Sequence, residues 1–302
     1  MSLSVAALRP DRVFTLGLVR PAMSIASRSR CRRVPILMYH GIRQGLGTRA
    51  AYFETNTSPE AFATHMQYLH ANGYKATTLS QAVEFIGGRI DLEKPVVITF
   101  DDGLTDFYTT ALPILCQHSF SATMFLVSGF AGSERECFAN NKCMTWSEAR
   151  EIHAQGIEIG SHTVSHPVLH RLNHQELADE ISKSKEAIED NIGIAIKAFS
   201  YPFAFPEQDT RFVQTLRTLL VEGGYEYGVS TIIGTAGPSD ETHFLPRLPV
   251  NSFDDLRLLG AKLEGAYDWL HVAQRSYKTM FGRNPRGTGA LDARLAGRGE
   301  CV

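Results

Sequence analysis

No stretch of this 302-residue chain approaches the roughly 18 consecutive apolar residues that a membrane-spanning helix needs, which excludes an integral membrane protein. Cysteine is scarce: five residues (31, 116, 137, 143 and 301) in a chain this long argue against a disulfide framework. Cys137 and Cys143 flank a polar loop and either bridge in an oxidising compartment or remain two ordinary thiols, since their spacing matches no zinc knuckle. An excess of positive charge is also missing, with 30 Lys+Arg against 32 Asp+Glu.

What charge there is lies unevenly. Residues 1–33 hold seven arginines and a single acid, Asp11, for +6, and residues 283–302 carry +2. The stretch between keeps 19 bases and 29 acids, or −10. An acidic body makes nucleic acid an unfavourable partner, because phosphate binding needs clustered positive charge.

Both ends lack a sustained apolar period, so residues 1–33 and 271–302 are expected to be poorly ordered tails around a domain spanning 34–270. The Arg- and Ser-rich start suits either a targeting peptide, a peripheral contact with a lipid surface, or a dispensable extension with the working start at Met23. A secretory signal is not expected, because Thr15, Gly17 and Arg20 interrupt its apolar run. A cytoplasmic location is the reading these features favour.

Within the domain, short apolar runs alternate with amphipathic segments. Strands are expected at 34–39, 75–79, 96–100, 122–127, 157–161, 198–201, 227–231 and 244–250. These runs are continuous rather than alternating, as in a parallel sheet covered on both faces. Ser58-Pro59 starts one helix and Asn173 caps another, with Leu177, Ile181 and Ile188 on one stripe. The pattern implies a single α/β barrel-like domain, whose function collects at the C-terminal ends of its strands.

Two polar clusters fall there. Thr99-Phe100-Asp101-Asp102-Gly103 places adjacent carboxylates after a strand, where they are costly to desolvate unless a cation lies between them. An Asp-Asp-Gly turn capping the next helix is the other reading. His162 and His166, in Gly160-Ser161-His162-Thr163-Val164-Ser165-His166-Pro167, are spaced to converge on one ion, whereas His170 reads as surface. One carboxylate and two imidazoles leave coordination positions open, the pattern of a catalytic metal.

Thr-Phe-Asp-Asp-Gly followed by His-Thr-x-x-His resembles the polysaccharide deacetylases of carbohydrate esterase family 4, the NodB-homology domain. Flanking stretches agree: Val34-Pro-Ile-Leu-Met-Tyr-His-Gly-Ile, Phe199-Ser-Tyr-Pro-Phe and Leu245-Pro-Arg-Leu-Pro-Val. The resemblance implies a distorted, incomplete (β/α) barrel and a metal-dependent hydrolase that removes N-acetyl groups from GlcNAc-containing oligo- or polysaccharide, such as a chitooligosaccharide or an exopolysaccharide. It implies Asp102, His162 and His166 as metal ligands and Asp101 as the general base. It also implies an oxyanion-binding backbone N–H near Phe203, in the Tyr201-Pro-Phe segment. Zinc is the default metal, with Co, Ni or Mn fitting the same ligands.

Three positions depart from the family pattern. Its usual Arg is Ser200 here, an acid-bearing strand reads Gly228-Val-Ser-Thr-Ile, and its late Leu-x-His has no clear counterpart, His271 sitting on an apparent helix. His40, after the first strand, is the replacement candidate for the general acid, against a packing role. Arg247 is the candidate to steer Asp101, against a surface salt bridge. Tyr39, Tyr201, Phe203 and Trp146 are candidates for stacking on a sugar ring or for core filling. Two other functions stay open: hydrolysis of a small non-sugar amide, and sugar binding by a pseudoenzyme.

Overall fold

The computed structural model describes residues 9–25, 32–45 and 54–273. All eight expected strand segments form strands: β1 (Ile36–Tyr39), β2 (Lys75–Thr77), β3 (Pro95–Phe100), β4 (Thr123–Leu126), β7 (Glu158–Ser161), β8 (Ala198–Ser200), β9 (Tyr227–Ile233) and β10 (Leu245–Pro249). A hairpin that the sequence did not announce adds β5 (Cys137–Phe138) and β6 (Asn141–Lys142). Seven parallel strands run in the order β1-β10-β9-β8-β7-β4-β3, and β3 pairs back onto β1 from Ile36↔Val97 to Tyr39↔Phe100. The ring is therefore a closed barrel, one strand short of the common eight. The short strand β2 lies outside it, on the first half of β3.

Period-two alternation sorts the barrel into an inside and an outside. Ile36, Val97, Phe125, Ala198, Val229 and Leu245, from six different strands, share one buried cluster, as only inward-facing residues can. Their neighbours Leu37, Ile98, Phe100, Phe199 and Leu248 belong to the larger cluster between strands and helices. Each fully buried Phe there contributes on the order of 1.5–3 kcal/mol.

The helices are α1 (Pro10–Phe14), α2 (Arg20–Ile25), α3 (Pro59–Ala71), α4 (Leu79–Ile86), α5 (Leu112–Gln117), α6 (Trp146–Ala154), α7 (His174–Ile192), α8 (Thr210–Glu222) and α9 (Leu256–Leu263). Ser58 and Asn173 cap α3 and α7 as expected, the latter in a capping box with Glu176. One boundary differs. Thr78 forms a capping box with Gln81, so Leu79 begins α4 instead of ending β2.

The N-terminal expectation needs correcting. Residues 10–25 are helical, with a π-helical turn at Thr15–Val19 joining α1 to α2, and they pack on the domain rather than trailing from it. Buried Arg9 bonds Asp11 at 2.5 Å and Asp254 at 3.2 Å, and Tyr267 Oη donates to Asp11 at 2.5 Å. Lys262 joins Asp254 at 3.0 Å, completing a buried group of two bases and two acids. Arg12, Arg20, Arg32 and Arg33 pair with Asp255, Glu264, Asp91 and Asp268. The basic segment thus finds its counterions in the acidic body. Counting charge reveals both halves of that arrangement but not that they meet. Residues 1–8, 26–31 and 274–302, with Cys31 and Cys301, lie outside the described residues.

Cys143 is a free, buried thiol, so the Cys137–Cys143 bridge does not form. In the hairpin Cys137 stands opposite Lys142 and Cys143 N–H donates to Glu136 O at 2.9 Å, so the two are not cross-strand partners, and Cys137 is engaged in a disulfide without Cys143.

Candidate metal centre

The same alternation that builds the barrel builds the site. Counting inward from Val97 through Thr99 brings Asp101 to the mouth of the barrel, and counting from Leu245 brings Arg247 to face it. There the Arg247 guanidinium holds both oxygens of Asp101, Nη1 to Oδ1 and Nη2 to Oδ2, each at 2.8 Å. The pair is dry, Arg247 being 1% and Asp101 2% exposed. Arg247 also donates to Ser230 O at 3.0 Å, Thr99 Oγ1 at 3.2 Å and Ser200 Oγ at 3.1 Å, so its planar head is held on every side. The surface salt bridge weighed for Arg247 is ruled out by that burial. Desolvation pushes the Asp101 carboxyl up, but the charges of Arg247 and His162 outweigh it and hold Asp101 well below the usual carboxylate range.

Asp102 faces the other way, toward the histidines. Its Oδ1 lies 3.7 Å from His162 Nε2 and 3.6 Å from His166 Nε2, and the ligand atoms of the three residues all fall within 4.8 Å of one another. These gaps are too long for hydrogen bonds. They are close to the roughly 3.4 Å that separates two ligands sharing a tetrahedral ion at about 2.1 Å. Asp102 Oδ1 is buried with no hydrogen-bond partner, an atom that a cation would satisfy. Burial, reinforced by the charge of Asp101, pushes the Asp102 carboxyl up to about 6 despite the opposing pull of His162.

The imidazoles are set for the same role. His162 Nδ1–H donates to Ser200 O at 2.8 Å, which leaves the Nε2 lone pair facing Asp102. Burial and the charge of His162 hold His166 well below its ordinary value, in the neutral form a ligand requires. Its ring lies between Phe138 of the hairpin, tilted at 5.0 Å, and Phe203, edge-on at 4.5 Å. Of the eight non-glycine residues with left-handed φ among the described residues, Asp102 (75°), Thr163 (70°), His166 (56°) and Phe203 (59°) all lie at this centre.

His40 is close enough for its charge to act on both Asp101 and His166, which places it at the same mouth. His170 is exposed, as expected. His271 is elsewhere, bonded to Glu207 at 2.6 Å beside a groove that no metal-centre residue lines. For two of the four aromatics the core-filling reading is the one the structure bears out. Tyr39 and Tyr201 alternate outward into the helix-covered core and are 0% and 1% exposed, so neither ring reaches a ligand. Tyr39 instead bonds His65 at 3.0 Å, and Tyr201 stacks edge-on against Phe205 at 5.0 Å. Trp146 opens α6 and packs on the core. Phe203, partly exposed, is the one of the four at the metal centre. Thr99, quoted only as part of a motif, and Ser200, read only as a departure from the family pattern, turn out to brace the Asp101–Arg247 pair. Their inward strand parity was the available signal.

A family model described as polysaccharide deacetylase matches residues 89–222, which include both clusters. The chain is also 30% identical over 233 residues to YxkH of Bacillus subtilis, whose name assigns it to the polysaccharide deacetylases, covering 77% of this chain and 76% of that one. The chain belongs to the polysaccharide deacetylase family. A poly-β-1,6-N-acetyl-D-glucosamine N-deacetylase of Staphylococcus aureus is 23% identical over 71% of this chain and 78% of its own length. Among solved structures, the deacetylase PplD of Streptococcus pyogenes in complex with acetate superposes with a TM-score of 0.67 at 24% identity. It covers 76% of this chain and 98% of that one. The likeness to PplD is one of fold, and the Asp102–His162–His166 group is the candidate metal site of this chain.

Proposed function

We propose that this polysaccharide deacetylase is a metal-dependent amide hydrolase that removes N-acetyl groups from a GlcNAc-containing oligo- or polysaccharide. The observation that carries the reading is a carboxylate held ionised by Arg247 immediately beside a three-ligand O,N,N centre. The Staphylococcus aureus relative supports the substrate class by its name. The acidic body agrees: it suits a neutral acetylated sugar whose product is cationic and opposes a polyanionic one.

Asp102, His162 and His166 would hold the ion, zinc by preference, with cobalt, nickel or manganese fitting the same donors. Such an ion supplies Lewis acidity toward the amide carbonyl and toward water. Every other step falls to the chain. Asp101, fixed by two bonds from Arg247, takes a proton from the attacking water through Oδ2, the oxygen 4.0 Å from His162 Nε2. The new C–O bond places negative charge on the former carbonyl oxygen, which the Phe203 N–H is assigned to receive. As the C–N bond breaks, His40 gives its proton to the departing amine, so that acetate and a free amino sugar leave.

The test is acetate release from N-acetylglucosamine oligomers with zinc-loaded protein, Asp101→Asn serving as the control. Equal turnover by the control would overturn the mechanism. Metal binding without acetate release from any sugar would move the substrate to a small non-sugar amide.

A further inference from the structure

A carboxylate that the mechanism does not use, Glu180 on α7, lies behind the turn that joins the two histidine ligands. We infer that Glu180 is a positioning residue for the metal centre: it fixes the 163–166 turn in the one conformation that aims His162 and His166 at a single ion. The inference rests on the metal reading above and concerns how that site is held.

The turn needs holding. Thr163 and His166 both adopt left-handed φ, which a β-branched residue and a bulky ring resist, so a free segment of this sequence would relax toward an extended path. Glu180 opposes that relaxation directly. Its Oε2 accepts the backbone N–H of Val164 at 2.8 Å and of Ser165 at 2.9 Å, while Oε1 accepts the Ser165 hydroxyl at 2.7 Å. Three donors from two adjacent residues converge on one carboxylate, the only side-chain group that can accept them all without presenting a donor of its own.

The opposite face of the turn is gripped as well. Val164 O accepts Gly129 N–H at 2.8 Å and Thr163 O accepts Ser128 N–H at 3.1 Å. A Cβ on Gly129 would stand 2.6 Å from Val164 O, so this approach admits only glycine. The Thr163 hydroxyl closes the turn by accepting His166 N–H at 3.0 Å.

Glu180 is itself well placed to transmit position. One helical turn further along α7, Ser184 bonds Ser161 hydroxyl to hydroxyl at 2.8 Å, just before His162. Leu177, Ile181 and Ile188 bury the same side of α7 against the barrel. A single rigid helix thus fixes the chain on both sides of the first histidine, through Ser184 before it and Glu180 after it. Glu180 touches neither the ion nor a substrate. Its effect passes through the direction of the ligand lone pairs, so metal affinity is where it registers.

The experiment measures zinc affinity of the full chain by chelator competition, for the unmodified protein, Glu180→Gln and Glu180→Ala, alongside thermal unfolding of each without metal. We expect zinc to bind roughly 10–100-fold more weakly to Glu180→Ala. About fivefold is expected for Glu180→Gln, whose amide N–H2 meets a donor instead of accepting it. A folded Glu180→Ala that binds zinc within about twofold of the unmodified chain overturns the inference, since a merely structural role lowers the unfolding temperature without moving that constant. Should Glu180→Ala fail to fold, Glu180→Gln decides by the same criterion. Absence of zinc binding in the unmodified chain is a different result, which removes the metal reading itself.

Discussion

The guanidinium of Arg247 and the carboxylate of Asp101 face each other fork to fork, two N–H···O contacts of 2.8 Å joining strands β10 and β3 across the barrel mouth. The pair defines both the orientation and the charge of Asp101. Replacing Arg247 with Met would leave a buried carboxylate unpaired, a change that costs about 3–5 kcal/mol in comparable pairs. Arg247→Lys keeps a charge but loses the fork. We expect its turnover to fall by about 10²-fold, and the acid limb of its pH–rate profile to move upward as the Asp101 carboxyl rises. An unchanged profile, measured with metal saturating, would contradict this account.

Asp101 and Asp102 pull stability in opposite directions with pH. The Asp101 carboxyl is depressed by folding, so its contribution is present above about pH 4 and is lost as pH falls further. The Asp102 carboxyl is raised to about 6, so in metal-free protein its contribution is present below about pH 4 and is lost as pH rises to 6. Zinc must displace that proton. Affinity should therefore weaken by about tenfold on going from pH 7 to pH 5 from this group alone, on top of any competition at the imidazoles. A zinc constant flat across that range would show that Asp102 is not a ligand.

His40 is assigned the proton of the leaving amine. Removing a general acid typically costs about 10²–10⁴-fold in rate. His40→Gln should show a loss in that range with zinc affinity unchanged, and substrates with better leaving groups should recover part of it. Full turnover in His40→Gln would return His40 to a packing role.

The buried Arg9–Asp254 contact predicts that the N-terminal segment contributes to folding. Arg9→Met would leave buried Asp11 without a countercharge and Asp254 with Lys262 alone, and we expect a loss of about 3–5 kcal/mol in chemical denaturation. A variant beginning at Met23 should lose at least as much. Equal stability of either variant would mean that the segment is dispensable after all.

What the sequence disclosed, and what it withheld, follows from the range of the interactions involved. Val97, Thr99 and Asp101 lie on one strand, and their shared facing follows from a two-residue period. The same holds for Leu245 and Arg247. The metal set was readable because two short motifs supply all three ligands. Tyr39 and Tyr201 misled because composition marks an aromatic near the site without saying that strand parity turns it away. The N-terminal segment misled for a related reason: Arg9, Arg12 and Arg20 look like a solvated basic tail until Asp254, Asp255 and Glu264 are brought beside them. Glu180, a single acid in a charged helix, carries no local mark of the three donors that meet it.

Arg9 and Asp254 are 245 residues apart in the chain. A contact of that span forms only after almost the whole domain has left the ribosome, and it follows the more local strand pairings because closing so long a loop costs the most entropy. Residues 9–25 are therefore expected to dock after the local pairings of the barrel have formed. Until they do, Asp254, Asp255 and Glu264 stand without Arg9, Arg12 and Arg20, so the docking of this segment is what neutralises the acidic face around α9.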